Sequence, residues 1–162
     1  VIRTFLSGSA EATLALGMAL GTALREGDFV GLQGQLGAGK TVLARGVAQG
    51  AGVDVADVSS PTYSIVQSYR GRLTLHHADL YRLQGEDDLY ATGYHELLGG
   101  SGAVLVEWFD QVPGSVPEGA LLVRLEALSA DARRLTAQAQ AEPGLALLER
   151  WGLALAAAPQ PG

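Results

Sequence analysis

The strongest constraint in the chain is the stretch Gly34-Gln35-Leu36-Gly37-Ala38-Gly39-Lys40-Thr41, which satisfies the pattern glycine, four residues, glycine, lysine, then serine or threonine. Glycines let the main chain take positive φ and approach an anion closely, and successive N–H groups at the start of a helix form a concave phosphate site. The flanks suit such a loop. Asp28-Phe29-Val30-Gly31-Leu32 reads as a short apolar strand entering it, and Val42 to Gln49 as a helix leaving it. Gly34, Leu36, Gly37, Ala38, Gly39, Lys40, Thr41 and Val42 are therefore the expected nucleotide-binding residues. Lys40 is expected to reach the outer phosphates, and the Thr41 hydroxyl to give one oxygen to magnesium, a hard cation that takes few protein ligands and keeps several waters. Lys40 is also the only lysine among eleven basic residues, so a compact ammonium stands where the chain otherwise uses arginine.

A length of 162 residues, 48% of them hydrophobic and 17% charged, suits one domain with a substantial core, expected over residues 1–152. The longest apolar runs break well before a bilayer span, so no membrane role is expected. The start Val-Ile-Arg-Thr-Phe lacks the marks of a secretory signal, and the absence of cysteine rules out a disulfide framework, which fits a cytoplasmic protein. A net charge of −6 argues against broad electrostatic binding to RNA or DNA, so any nucleic-acid role is expected to be indirect. The chain contains no asparagine and cannot carry the Asn-Lys-x-Asp element of P-loop GTPases. ATP is the expected nucleotide.

Along the chain, Ser7-Gly8-Ser9 offers N-cap candidates for a helix over 10–25, in which Gly17 and Gly21 permit close packing, expected against the sheet. A strand over 28–33, the phosphate loop and a helix over 40–50 follow. Ser64 to Tyr69 and Leu73 to Ala78 alternate as two antiparallel strands, which deliver Asp79 at their end. Glu86 to Leu98 reads as short helical turns interrupted at Gly93. Ala103-Val104-Leu105-Val106 is a continuous apolar run ending on Glu107, as expected of a strand buried on both faces. Ala120 to Glu126 and Leu135 to Gln140 form a second hairpin, a last helix covers 144–151, and the low-complexity stretch 153–162 predicts a mobile tail.

Two carboxylates stand out. Asp79 and Glu107 each close an apolar strand, and magnesium–nucleotide chemistry needs an acid opposite the Thr41 hydroxyl. Glu107 is the stronger metal candidate, whereas Asp79 suits orienting the attacking water or binding the metal through water. Thr62, in a proline-stiffened loop, is placed to close on the terminal phosphate as a switch residue, the alternative being an ordinary turn. His76 and His77 are adjacent, so on a strand they face opposite ways and form no metal-ligand spacing. Trp108 reads as packing, and Arg82, Arg133 and Arg134 as surface residues available to phosphate or a partner.

Four blocks in this order resemble the bacterial TsaE (YjeE) family of ATPases, which act in making threonylcarbamoyladenosine on tRNA. They are the phosphate loop, Ser60-Pro61-Thr62-Tyr63, His77-Ala78-Asp79-Leu80-Tyr81-Arg82-Leu83 and Val106-Glu107-Trp108, and the resemblance spans residues 5–140. It implies an α/β P-loop NTPase fold, a three-layer α/β/α arrangement whose mixed sheet has a parallel centre and antiparallel flanking strands. It also implies a weak, magnesium-dependent ATPase that works with TsaB and TsaD, with ATP and Mg2+ as cofactors. Lys40 would serve phosphate, Thr41 and Glu107 magnesium, and Asp79 an essential acidic role; Thr62 falls in the second block. The ATP cycle would reset the TsaB–TsaD assembly between turnovers, leaving tRNA as a substrate of that complex. Three residues depart from the family pattern: Gln35 stands where an acid is usual, Tyr63 where phenylalanine is common, and Phe109 where proline often follows the tryptophan. The rival readings are a free-standing small-molecule kinase, for which the 83–102 segment lacks an arginine-bearing lid, and a non-catalytic adaptor that senses ATP against ADP.

Overall fold

Strand Phe29–Gln33 (β2) is apolar almost throughout and sits at the middle of the sheet, where both faces are covered. The computed structural model describes residues 1–54, 56 and 65–157. In chain order the remaining elements are β1 (Ile2–Ser7), α1 (Ala10–Ala23), α2 (Lys40–Gly50), β3 (Val66–Arg70), β4 (Thr74–Asp79), α3 (Glu86–Ala91), α4 (Tyr94–Leu97), β5 (Ala103–Glu107), β6 (Leu121–Ala127), β7 (Arg133–Gln138) and α5 (Gly144–Ala157). The seven strands run in the order β1-β7-β6-β2-β5-β4-β3. β2 pairs in parallel with both β5 and β6, and β4 in parallel with β5. The outer pairs β3–β4, β6–β7 and β1–β7 are antiparallel, giving the mixed sheet with a parallel centre that the resemblance implies.

Helices cover both faces. On one, Leu20, Leu43, Val47 and Leu148 from α1, α2 and α5 close over Leu32, Leu75, Leu105 and Val123. On the other, Leu89 and Tyr94 from α3 and α4 close over Phe29, Ala78, Val104 and Val106. Because side chains alternate along a strand, Leu75, His77 and Asp79 of β4 share the α2 face with Leu105 and Glu107 of β5. That parity decides what the site contains.

The α1–α2 contact is built on glycine. A Cβ at Gly17 or Gly21 would strike the carbonyl oxygens of Leu43 or Val47, and one at Gly46 or Gly50 those of Leu14 or Met18. The principal partner of α1 is therefore α2, and the expectation that it packs on the sheet describes only part of its contacts. Ser9 caps α1 as expected, its Oγ accepting the Ala12 N–H at 3.0 Å.

One strand was not foreseen from the sequence, and one helix runs past its expected end. β1 pairs antiparallel with β7 although its residues do not alternate cleanly, because at a sheet edge Ile2 and Leu6 stay exposed while Ser7 turns inward. α5 continues to Ala157, so residues 153–157, expected in a tail, are helical: this leucine–alanine stretch has high helix propensity, and Ala154 and Leu155 pack on the core. The same helix is anchored by buried Trp151, whose Nε1–H donates to Leu16 O at 3.0 Å, and by Arg150, which reaches Asp28 at 2.8 Å.

Candidate nucleotide-binding site

The loop between β2 and α2 uses its glycines for two different reasons. Gly37 and Gly39 have φ of 82° and 102°, a conformation that L side chains rarely adopt. Gly34 is instead required by space, since a Cβ there would lie 2.8 Å from Leu125 O. α2 begins at Lys40 with Gly39 as its N-cap, no capping side chain and no acid in its first turn. Its leading N–H groups are thus left for an anion, in the positive end of the helix dipole. Thr41 is exposed in that first turn, Val42 is half-buried, Ala38 is buried, and Leu36 stands out from the loop into solvent.

Lys40 is folded back in this structure. Its Nζ donates to the Gly34 carbonyl and lies 3.5 Å from the centre of the Trp108 ring. Burial pulls its ammonium below the ordinary lysine value of 10.5, while the nearby acids Glu107, Asp79 and Asp110 oppose that shift. Trp108 takes φ of 59°, alone among the described non-glycine residues in having positive φ. Tyr81 braces it with ring centres 4.9 Å apart.

Asp79 and Glu107 are direct register partners on β4 and β5, and Glu107 is also the partner of Leu32 on β2. The three strands end together beside the phosphate loop, at the carboxyl edge where open α/β sheets bind ligands. Glu107 is 8% exposed, and its Oε2 accepts a hydrogen bond from His77 Nε2 at 2.7 Å. Asp79 Oδ1 accepts the Tyr81 N–H at 3.0 Å. Burial raises the Asp79 carboxyl above its ordinary value; the Tyr81 N–H opposes this, Glu107 adds to it, and His77 and Lys40 counter it.

The structure thus brings Lys40, Asp79 and Glu107 together and places Thr41 at the same helix start. Thr62, with the rest of the Ser60-Pro61-Thr62-Tyr63 block, lies outside the described residues. Arg82 and Arg134 are exposed, but Arg133 lies against the phosphate loop, its Nη2 donating to Gly37 O at 3.2 Å and its Nη1 to Ser129 O at 2.9 Å. Arg133 was named from the sequence as available to phosphate or a partner, but its contact with the loop, the bond from His77 to Glu107 and the contact of Trp108 with Lys40 were not foreseen. A signal for the placement of His77 was present: in His-x-Asp on a strand both side chains face the same way. Along the loop runs a cleft of about 520 Å³ whose lining includes Gln35, Leu36, Trp108, Asp110 and Arg124.

Among the described residues no three His, Cys, Asp or Glu groups are arranged to hold a metal by themselves. A magnesium–nucleotide site needs no such cage, because magnesium is held by one or two protein oxygens together with phosphates and water. The exposed Thr41 hydroxyl and the Glu107 carboxylate fit that chemistry. A strand running into a glycine loop, an uncapped helix start and a lysine among strand-end acids define a P-loop-type α/β protein.

The chain belongs to the TsaE family: the family model "Threonylcarbamoyl adenosine biosynthesis protein TsaE" matches residues 7–135. Among curated relatives, the tRNA threonylcarbamoyladenosine biosynthesis protein TsaE of Treponema pallidum is 38% identical over 131 residues, covering 81% of this chain and 96% of the relative. The protein of the same name from Bacillus subtilis is 35% identical over 127 residues, covering 78% of each. The crystal structure of Bacillus subtilis YdiB superposes with a TM-score of 0.76 at 28% identity, covering 94% of this chain and 95% of that one. The family places the chain in tRNA threonylcarbamoyladenosine biosynthesis.

Proposed function

We propose that the chain is an ATP-binding and ATP-hydrolysing accessory protein of tRNA threonylcarbamoyladenosine modification, acting with TsaB and TsaD in the cytoplasm. The observation that carries this reading is the convergence of Lys40, Asp79 and Glu107 on the α2 face, at the carboxyl ends of β4 and β5 and beside the phosphate loop. ATP phosphates would lie on the N–H groups of 37–42, and Lys40 would leave Trp108 to meet them. Thr41 and Glu107 would hold Mg2+, which supplies charge neutralisation on the phosphates. Asp79, its carboxyl raised by burial, is suited to orient the attacking water and accept its proton. Thr62 would close on the terminal phosphate.

A net charge of −6 supports indirect contact with tRNA, through the partner complex. No described helix is long and apolar enough to cross a membrane.

The test is magnesium-dependent phosphate release from ATP by the wild type, Thr41→Ala, Glu107→Ala and Asp79→Asn. The first two variants lose turnover, and Asp79→Asn lowers kcat by roughly 10²–10⁴ while still binding ATP, as loss of a general base does. Wild-type turnover in all three would contradict the assignment, and phosphate transfer to a metabolite would support the kinase instead.

A further inference from the structure

The pair His77–Glu107 has a geometry that phosphate binding alone does not call for. His77 is 5% exposed and Glu107 8%, and the Nε2–Oε2 distance of 2.7 Å is at the short end for an N–H···O bond. A carboxylate only accepts, so Nε2 carries the proton and donates. Glu107 has three side-chain torsions with which to move its carboxylate, and this bond engages one of its two oxygens. The donor is not on a loop: it stands on β4, two residues before Asp79 and on the same face, while Glu107 is the register partner of Asp79 on β5. One imidazole thereby ties the glutamate of one parallel strand to the strand carrying the other acid.

We propose that His77 is the positioning residue of the site, fixing the Glu107 carboxylate with Oε2 engaged so that Oε1 is presented to magnesium. This rests on the assignment of Glu107 to Mg2+ above. Hydrogen bonds to a ligating carboxylate orient it, and their loss typically costs roughly 10–100-fold in metal affinity or activity. His77→Leu removes the donor while keeping an apolar side chain of similar size. His77→Gln returns an N–H near the Nε2 position. A residue that only filled space would be replaced better by leucine than by glutamine, whereas a donor to Glu107 is replaced better by glutamine.

The experiment is equilibrium ADP and ATP binding, in chelator and across a magnesium titration, for wild type, His77→Leu and His77→Gln, with thermal melting as a check of folding. Expected is unchanged nucleotide affinity in chelator, a magnesium midpoint raised roughly tenfold or more in His77→Leu, and recovery toward wild type in His77→Gln. A folded His77→Leu with the wild-type magnesium midpoint overturns the proposal and leaves the Glu107 assignment standing. A wild type whose nucleotide binding ignores magnesium, or in which Glu107→Ala leaves the midpoint unmoved, overturns both. Should His77→Leu not fold, the imidazole nitrogen spectrum of the nucleotide-free wild type decides, the chain having three histidines. A protonated His77 Nε2 whose resonance moves in Glu107→Gln supports the proposal, and an Nε2 without a proton overturns it.

Discussion

Lys40 Nζ lies 3.5 Å from the centre of the Trp108 ring, so the phosphate-loop lysine is held by the residue that follows the strand-end glutamate. On the proposed function, nucleotide phosphates and the indole face would compete for one ammonium. Since such a contact contributes roughly 0.5–2 kcal/mol, a charged phosphate displaces it readily.

The first prediction concerns fluorescence. The chain has two tryptophans, and Trp151 is fully buried between α1 and α5, with Phe5 4.6 Å away. Adding Mg-ATP changes the emission of Trp108 alone, so the change disappears in Trp108→Phe. An unaltered spectrum at saturating nucleotide would mean that Lys40 stays on the Trp108 ring and does not move to the phosphates.

The second follows from the lowered ammonium of Lys40. Only the protonated form pairs with phosphate, and burial lets the folded, nucleotide-free protein lose that proton below the ordinary value of 10.5. Mg-ATP affinity thus declines with rising pH in the window beneath 10.5. In the same window the unfolded chain binds more protons than the folded one, so this group makes stability rise with pH. Titrating affinity and melting temperature over the alkaline range checks both signs; affinity that stays flat up to 10.5 would contradict them. Amine-reactive labelling offers a parallel check, because only Lys40 and the amino terminus carry amines, and Mg-ATP should protect Lys40.

The third concerns the helix pair under the site. A Cβ at Gly50 would collide with Met18 O, and the obstruction is backbone. Gly50→Ala is expected to destabilise the fold by about 1–3 kcal/mol, as overpacking does, despite the higher helix propensity of alanine. Gly8→Ala, with open space around the added carbon, is the control in the same denaturant melts.

Much of this was legible in the sequence because it depends on local spacing. The phosphate-loop pattern located the strand and helix around it, and the apolar run 103–106 announced a buried strand with Glu107 at its end. What was not legible depends on registry between distant strands. The His-x-Asp spacing puts His77 on the face of Asp79, but it does not reveal that Glu107, thirty residues on, lies 2.7 Å away, because that follows from the parallel pairing of β4 with β5. Arg133 likewise meets Gly37 only because β6 and β7 pair beside β2. β1 escaped notice because an edge strand buries too little to impose a clean alternation on its residues.

On the proposed function, the site would be a working ATPase whose output belongs to a partner assembly. The most direct measurement is ATP turnover by this chain alone and with TsaB and TsaD, using Glu107→Ala as the blank. Low turnover in isolation that rises on adding both partners is the predicted result. Equal, high turnover with and without them would contradict it.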